Sequence, residues 1–152
     1  VIAIRRAGVE DIEAVVDFRL AFMREAFPGV EIDEGEFREL TYRYVADKLP
    51  KDEFMVWLAE EDGRAVGMSG LIFYHRPPII PYPSEHRVYL LNMYTRPESR
   101  RRGVATALIR HMLAHVKTTP AKCITLHATD TGRLVYEKLG FVPIEDEMRL
   151  ML

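Results

Sequence analysis

Arg100-Arg101-Arg102-Gly103-Val104-Ala105 sets three guanidinium groups and a glycine directly in front of an apolar helical face. Val104, Leu108, Met112 and Val116, with Ala105 and Ile109 beside them, recur at the helical period, so this helix must pack on a sheet. A helix start exposes unpaired N–H groups and a partial positive charge, which together hold anions. Gly103 removes a Cβ where the chain turns most tightly, and Ala105 keeps the wall low two residues later. Arg100, Arg101 and Arg102 add point charges suited to a pyrophosphate or a phosphorylated ribose. The Walker pattern needs Lys-Ser/Thr after its second glycine, and the dinucleotide fingerprint needs three spaced glycines; neither occurs here.

The elements that must position this stretch can be read on both sides of it. Val1 to Arg5 is short and β-prone; Gly8, as an N-cap, with Glu10 and Asp11 in a first turn, opens a helix whose stripe is Ile12, Val15, Val16, Phe22 and Met23. Phe27-Pro28-Gly29 ends it, and a second helix over 34–47 carries Phe37, Leu40, Tyr44 and Val45 inward before Pro50 stops it. Strands over 54–60 and 65–74 are joined through Asp62-Gly63, an antiparallel hairpin signal. Prolines 77, 78, 81 and 83 make 76–86 a stiff loop that no helix or inner strand can cross. A strand over 87–95, the helix to about 117 and a strand over 123–129 form a β-α-β unit with parallel neighbours. A short helix over 130–139, closed by Gly140, precedes one or two final strands in 141–152. The expected class is α/β with about four helices and a mixed sheet, antiparallel first and parallel around the crossover.

At 152 residues, the expectation is one domain over 1–152, large enough to need no disulfide or metal staple. With 48% hydrophobic and 29% charged residues, a disordered or membrane chain is excluded, and a net charge of −2 gives no global reason to bind nucleic acid. The single cysteine, Cys123, and the missing secretory pattern lead us to expect a reducing, cytoplasmic setting.

The arginine–glycine segment matches R-x-x-G-x-G/A and follows a strand ending Leu91-Asn92-Met93-Tyr94-Thr95. Further on, Tyr136-Glu137-Lys138-Leu139-Gly140-Phe141 matches a Y-E-K-L-G-F segment, in the right order and with one strand between. On these two motifs and the element order, the chain resembles the GNAT superfamily of acetyl-CoA-dependent N-acetyltransferases. The resemblance implies that the strand over 87–95 splays from the next one, leaving Met93, Tyr94 and Thr95 to pair with the pantetheine arm. It also implies that the amides of Arg101 to Thr106, Val104 and Ala105 among them, hold the pyrophosphate of acetyl-CoA. Many family members carry an asparagine seven residues before the tyrosine; here that position is Thr129, whose hydroxyl can still bond the arm. Dimerisation is common in the family, and no residue pattern here specifies a homodimer.

The implied reaction is direct attack of a primary amine on the thioester, the acceptor being a small molecule, an amino acid derivative or a peptide N-terminus. A main-chain N–H near Met93 would serve the carbonyl oxygen, and Tyr136 would donate to the departing thiolate. An alkylamine is about 0.1% neutral at pH 7, so a base or water relay helps. Glu85 and His86 at the start of the fourth strand, His75 at the end of the third and His127 in the fifth are the candidates; plain strand duty is the favoured account of His127, and surface charge accounts equally well for the other three. The proline-rich loop beside them would cover the acceptor side. No metal and no membrane are expected. Two other readings stay open: a CoA-binding regulator without turnover, and an RNA-binding module using the arginines with His111, His115 and Lys117. No RNP-like aromatic run supports the latter.

Overall fold

In a computed structural model, which describes residues 1–144 and 146–152, five strands form one sheet in the order β1-β2-β3-β4-β5. The elements are β1 (Ala3–Arg6), α1 (Ile12–Ala26), α2 (Glu34–Lys48), β2 (Phe54–Glu61), β3 (Arg64–His75), β4 (His86–Thr95), α3 (Val104–Val116), β5 (Ile124–Leu126) and α4 (Asp130–Lys138). The first four strands are antiparallel neighbours, and β4 and β5 are parallel. Asp62 (φ 51°) and Gly63 (φ 74°) both take the left-handed conformations that a tight two-residue hairpin demands.

Both faces of the sheet are covered, so β2 reads as a continuous apolar run rather than an alternating one. Val15, Val16, Phe18 and Leu20 of α1 and Val45 of α2 pack with Phe54, Val56, Leu58 and Met68 on one face. Val104, Leu108, Ile109, Met112 and Val116 of α3 pack with Trp57, Ala59, Leu71, Val88 and Leu90 on the other. Gly67 lets β3 approach the start of α3 closely: a Cβ there would lie 2.8 Å from Val104 Cγ1 and 3.1 Å from the Tyr94 carbonyl oxygen. That contact fixes where the first turn of α3 begins.

Three expectations are corrected. Leu40 and Tyr44 are 55% and 41% exposed, because α2 rests mainly on α1 and buries only Val45 fully. The fifth strand spans 124–126 rather than 123–129, because β4 bends away from it. No described residue of 141–152 joins the sheet; with β5 so short, Phe141, Val142 and Leu150 find no edge long enough to continue it. Among the described residues no helix is long and apolar enough to cross a membrane.

Candidate active site

The parallel pairing of β4 with β5 covers only Val88 with Ile124, Tyr89 with Thr125 and Leu90 with Leu126. It ends at a bulge. Asn92 has φ 56°, the β3–β4 register shifts between Met68 and Gly70, and Ser69 Oγ donates to the Leu91 carbonyl at 3.2 Å. An inserted residue of this kind bends and twists its strand. Beyond it Tyr94 and Thr95 still pair with Met68 and Gly67 of β3, but among the described residues their other edge pairs with no strand. The result is a cleft of about 860 Å³. Phe22 and Ala26 of α1 form one wall, Met93, Tyr94 and Thr95 the floor, Gly103 to Thr106 one end, and Thr129, Gly132 and Val135 the far side.

At the α3 end the chain leaves a 3-10 turn over Pro97–Ser99 and passes through Arg101 (φ 60°) and Gly103 (φ 82°) into the helix. The Arg100 N–H donates to the Pro97 carbonyl at 3.3 Å, and the next amide with a protein acceptor is Ala107, onto the Gly103 carbonyl at 2.9 Å. Among the described residues, the amides of Arg101 to Thr106 therefore point to no protein oxygen. Gly103 is needed for its positive φ rather than to avoid a clash, since a Cβ there would meet nothing within 4 Å.

The three arginine side chains differ. Arg100 pairs with Glu25 at 2.6 Å, donates to the Thr95 carbonyl at 2.9 Å and lies over the Tyr94 ring. Arg102 is held by both oxygens of Glu61, and its guanidinium is pushed further up by that hydrogen-bonded carboxylate. Arg101 has no such partner among the described residues, so of the expected rim charges it alone is unengaged. The basic strip is interrupted again at His115, which packs against Trp57 at 5.4 Å and Phe73 at 6.0 Å instead of facing solvent with His111 and Lys117.

On the far side Thr129 caps α4, its oxygen accepting from the Gly132 N–H at 3.2 Å, with the Thr131 hydroxyl 3.4 Å away. Gly132 makes this room: a Cβ there would sit 3.1 Å from Thr129 Oγ1 and 3.4 Å from Tyr136 Cε2. Tyr136 is buried, stacks edge-on against Phe141 at 5.6 Å, and is pushed up to about 12, first by burial and then by neighbouring Tyr89.

The structure does not bring Glu85 and His86 to this cleft. They gather with His75 at the start of β4, where His75 and His86 face each other across β3 and β4, and seven residues of strand, on the order of 20 Å, separate His86 from Met93. His127 is the histidine at the splay. Its Nδ1 meets the Tyr89 hydroxyl and its Nε2 meets Glu147, while Tyr89 itself is pushed up, chiefly by burial. The sequence carried a signal for Arg19, a charged residue where the α1 stripe calls for an apolar one, but none for the bulge at Asn92 or the approach of Glu147. A second hollow of about 640 Å³, under residues 27–32, has two of its charged members, Arg24 and Glu34, paired with each other at 2.6 Å, with Glu31 beside them in the lining.

The model of the acetyltransferase (GNAT) family matches residues 16–141. A predicted acetyltransferase from Clostridium acetobutylicum, solved with acetyl-CoA, superposes with a TM-score of 0.90 at 28% identity, covering 99% of this chain and 96% of that one. The chain is 31% identical over 91 residues to human N-acetyltransferase 8, covering 56% of this chain and 37% of that protein. It is 34% identical over 65 residues to human cysteine-rich protein 2-binding protein, covering 41% of this chain and 8% of that protein. The chain thus spans well under half the length of these two curated relatives. With its family-model match running from within α1 to the residue after Gly140, this chain belongs to the acetyltransferase (GNAT) family.

Proposed function

We propose that the chain transfers an acetyl group from acetyl-CoA to a primary amine by direct attack on the thioester. The observation that carries this is the run of unpaired amides from Arg101 to Thr106 at one end of a cleft whose floor is an unpaired strand edge. Main-chain donors at a helix start suit a diphosphate, and a free strand edge suits an amide-bearing arm; the bulge and the helix start supply both within one cleft. The solved Clostridium relative, with acetyl-CoA bound, supports the same ligand.

Within this reading Met93, Tyr94 and Thr95 offer main-chain groups to the arm, and the Met93 N–H stands where a donor would meet developing oxyanion charge. The thioester supplies an activated acyl group and a thiolate leaving group. Tyr136, near 12, holds its proton against a thiol near 8.5, so full transfer would be uphill by roughly 5 kcal/mol and the phenol acts by hydrogen-bond donation. Tyr89, His127 and Glu147 form a chain through which a proton can leave the incoming amine, a better-placed path than Glu85 and His86. The family match and the break in the basic strip at His115 favour a small-molecule or peptide amine over RNA. A single catalytic domain in a reducing, cytoplasmic setting, with Cys123 a free thiol, accords with this chemistry.

Calorimetry with acetyl-CoA, followed by thiol release over a panel of amines, tests the proposal. Micromolar binding with turnover of at least one amine is expected. No affinity for acetyl-CoA would overturn it, and binding without any turnover would leave a regulator in its place.

A further inference from the structure

Arg19 lies on the inward stripe of α1, one turn after Val15 and Val16 and one before Phe22 and Met23, where the packing calls for an apolar side chain. It is half-buried against the bulge of β4. Its only side-chain hydrogen bond among the described residues goes to Asn92 Oδ1, and its guanidinium carbon lies 6.0 Å from the ring centre of Phe22, which lines the cleft. No carboxylate among the described residues pairs with it. The other inward arginines stand elsewhere: Arg96 donates to the Ala65 carbonyl and lies over Phe18, and Arg87, at the start of β4 away from the cleft lining, donates to the Ser84 carbonyl while its Nη2 has no partner among the described residues. Arg19 instead has a neutral amide and the rings of Tyr44 and Tyr89 around it, and burial pushes its guanidinium below its ordinary value. A desolvated cation held without a counter-charge is costly unless something else supplies the charge.

We infer that Arg19 is a carboxylate-binding residue for the acceptor, and that the acceptor is an amino acid whose carboxylate lies within two or three bonds of the amine that is acetylated. This rests on the acetyl-transfer reading above and narrows it. The short spacing follows from position: Arg19 grips the side chain of Asn92, the residue immediately before Met93, whose N–H is the proposed donor to the acyl oxygen. Asn92 and Met93 are neighbours, roughly 3.3 Å apart along β4, so a carboxylate on the open donors of Arg19 lies on the side of the site next to the proposed acyl-oxygen donor. Only an acceptor with amine and carboxylate close together reaches both. A planar guanidinium offers a carboxylate two parallel N–H donors, and one such fork remains after the bond to Asn92 is counted.

The test measures thiol release with acetyl-CoA and the common L-amino acids, each compared with its α-amide. The wild-type protein is expected to use at least one free acid with kcat/KM about 10- to 100-fold above the amide, the range one charge-assisted contact supplies. In Arg19→Gln that acid-to-amide ratio should fall to near one through a raised KM for the acid, and Arg19→Lys should recover part of it. A purely structural arginine would depress acid and amide together and leave the ratio in place, which overturns the inference. So would amides used as well as acids by the wild type, or no amino acid used at all, and both of those comparisons stand even if Arg19→Gln fails to fold. Calorimetry with acetyl-CoA is run on every variant: lost cofactor binding in the wild type would refute the acetyl-transfer reading itself, a separate failure.

Discussion

Replacement of Gly103 separates two roles that the glycine combines. Its φ of 82° lies in the left-handed region, which costs an L-residue roughly 1–2 kcal/mol, and an added Cβ meets no protein atom within 4 Å. Gly103→Ala should therefore fold, with a melting temperature lower by about 2–8 °C for a chain of this size. Gly103→Glu carries the same backbone cost and adds a carboxylate beside the unpaired amides of Arg101 to Thr106. That carboxylate can accept from those amides itself, as a capping side chain does, and it repels a diphosphate. Losing two or more charge-assisted hydrogen bonds, at about 1.5–3 kcal/mol each, predicts an acetyl-CoA affinity at least 100-fold weaker in Gly103→Glu. Calorimetry on Gly103→Ala and Gly103→Glu, with thermal melts as the folding control, reads both numbers. Equal melting temperatures for the two variants together with unchanged affinity in Gly103→Glu would remove the diphosphate from this helix start.

Tyr136→Phe should lower kcat by roughly 10- to 100-fold with acetyl-CoA affinity within about 2-fold, since it removes a donor used as the thiolate departs; steady-state kinetics beside calorimetry check this. Because burial pushes Tyr136 up to about 12, it stays protonated across the working range, so an alkaline loss of rate below pH 10 should persist in Tyr136→Phe. His127→Gln should cost about 100-fold in kcat/KM, whereas His86→Gln should leave kcat/KM within about 2-fold, both read by steady-state kinetics. Asp11 accepts from Arg5 at 2.7 and 2.8 Å and from the Gly8 N–H at 2.8 Å, and these bonds, Arg5 first, hold its carboxyl below the ordinary value. Its contribution is thus present above about pH 3.9 and lost as pH falls through the lower folded value. Asp11→Asn should cost about 1–2 kcal/mol at pH 7, discounted because Arg5 is 41% exposed, and should weaken the acid dependence of denaturant midpoints.

Where periodicity and turn chemistry agree, the fold is legible from residues alone: the Asp62-Gly63 hairpin, the apolar face of α3 and the first half of the α1 stripe (Ile12, Val15 and Val16) stand where their patterns put them, whereas Phe22 and Met23 line hollows and Phe18 and Leu20 take the buried places. The arginine–glycine motif likewise marked the helix start, though its physics proved different, with Gly103 supplying a backbone angle and two of the three arginines tied to Glu25 and Glu61. The end of the chain misled because strand propensity in Phe141, Val142 and Leu150 says nothing about whether an edge is free to receive them. The bulge was invisible for a related reason. Leu91-Asn92-Met93 reads as an ordinary strand segment, and a left-handed asparagine inside it is decided by Ser69 on β3 and Arg19 on α1, residues distant in sequence.

That one asparagine links the halves of the site. By taking φ 56° it ends the pairing of β4 with β5 after Leu90 and so opens the cleft floor at Met93 to Thr95. By offering its side-chain oxygen to Arg19 it holds a guanidinium beside the same floor. A strand that stayed paired would satisfy its own edge and leave no main-chain donor for an acyl oxygen; a bulge without Arg19 would open the cleft but leave the acceptor side without a charged anchor. The arginine in the α1 stripe and the bulge in β4 are therefore joined by one side chain, and on the proposed reading the cost of partly burying a cation is set against a bend that acetyl transfer would use.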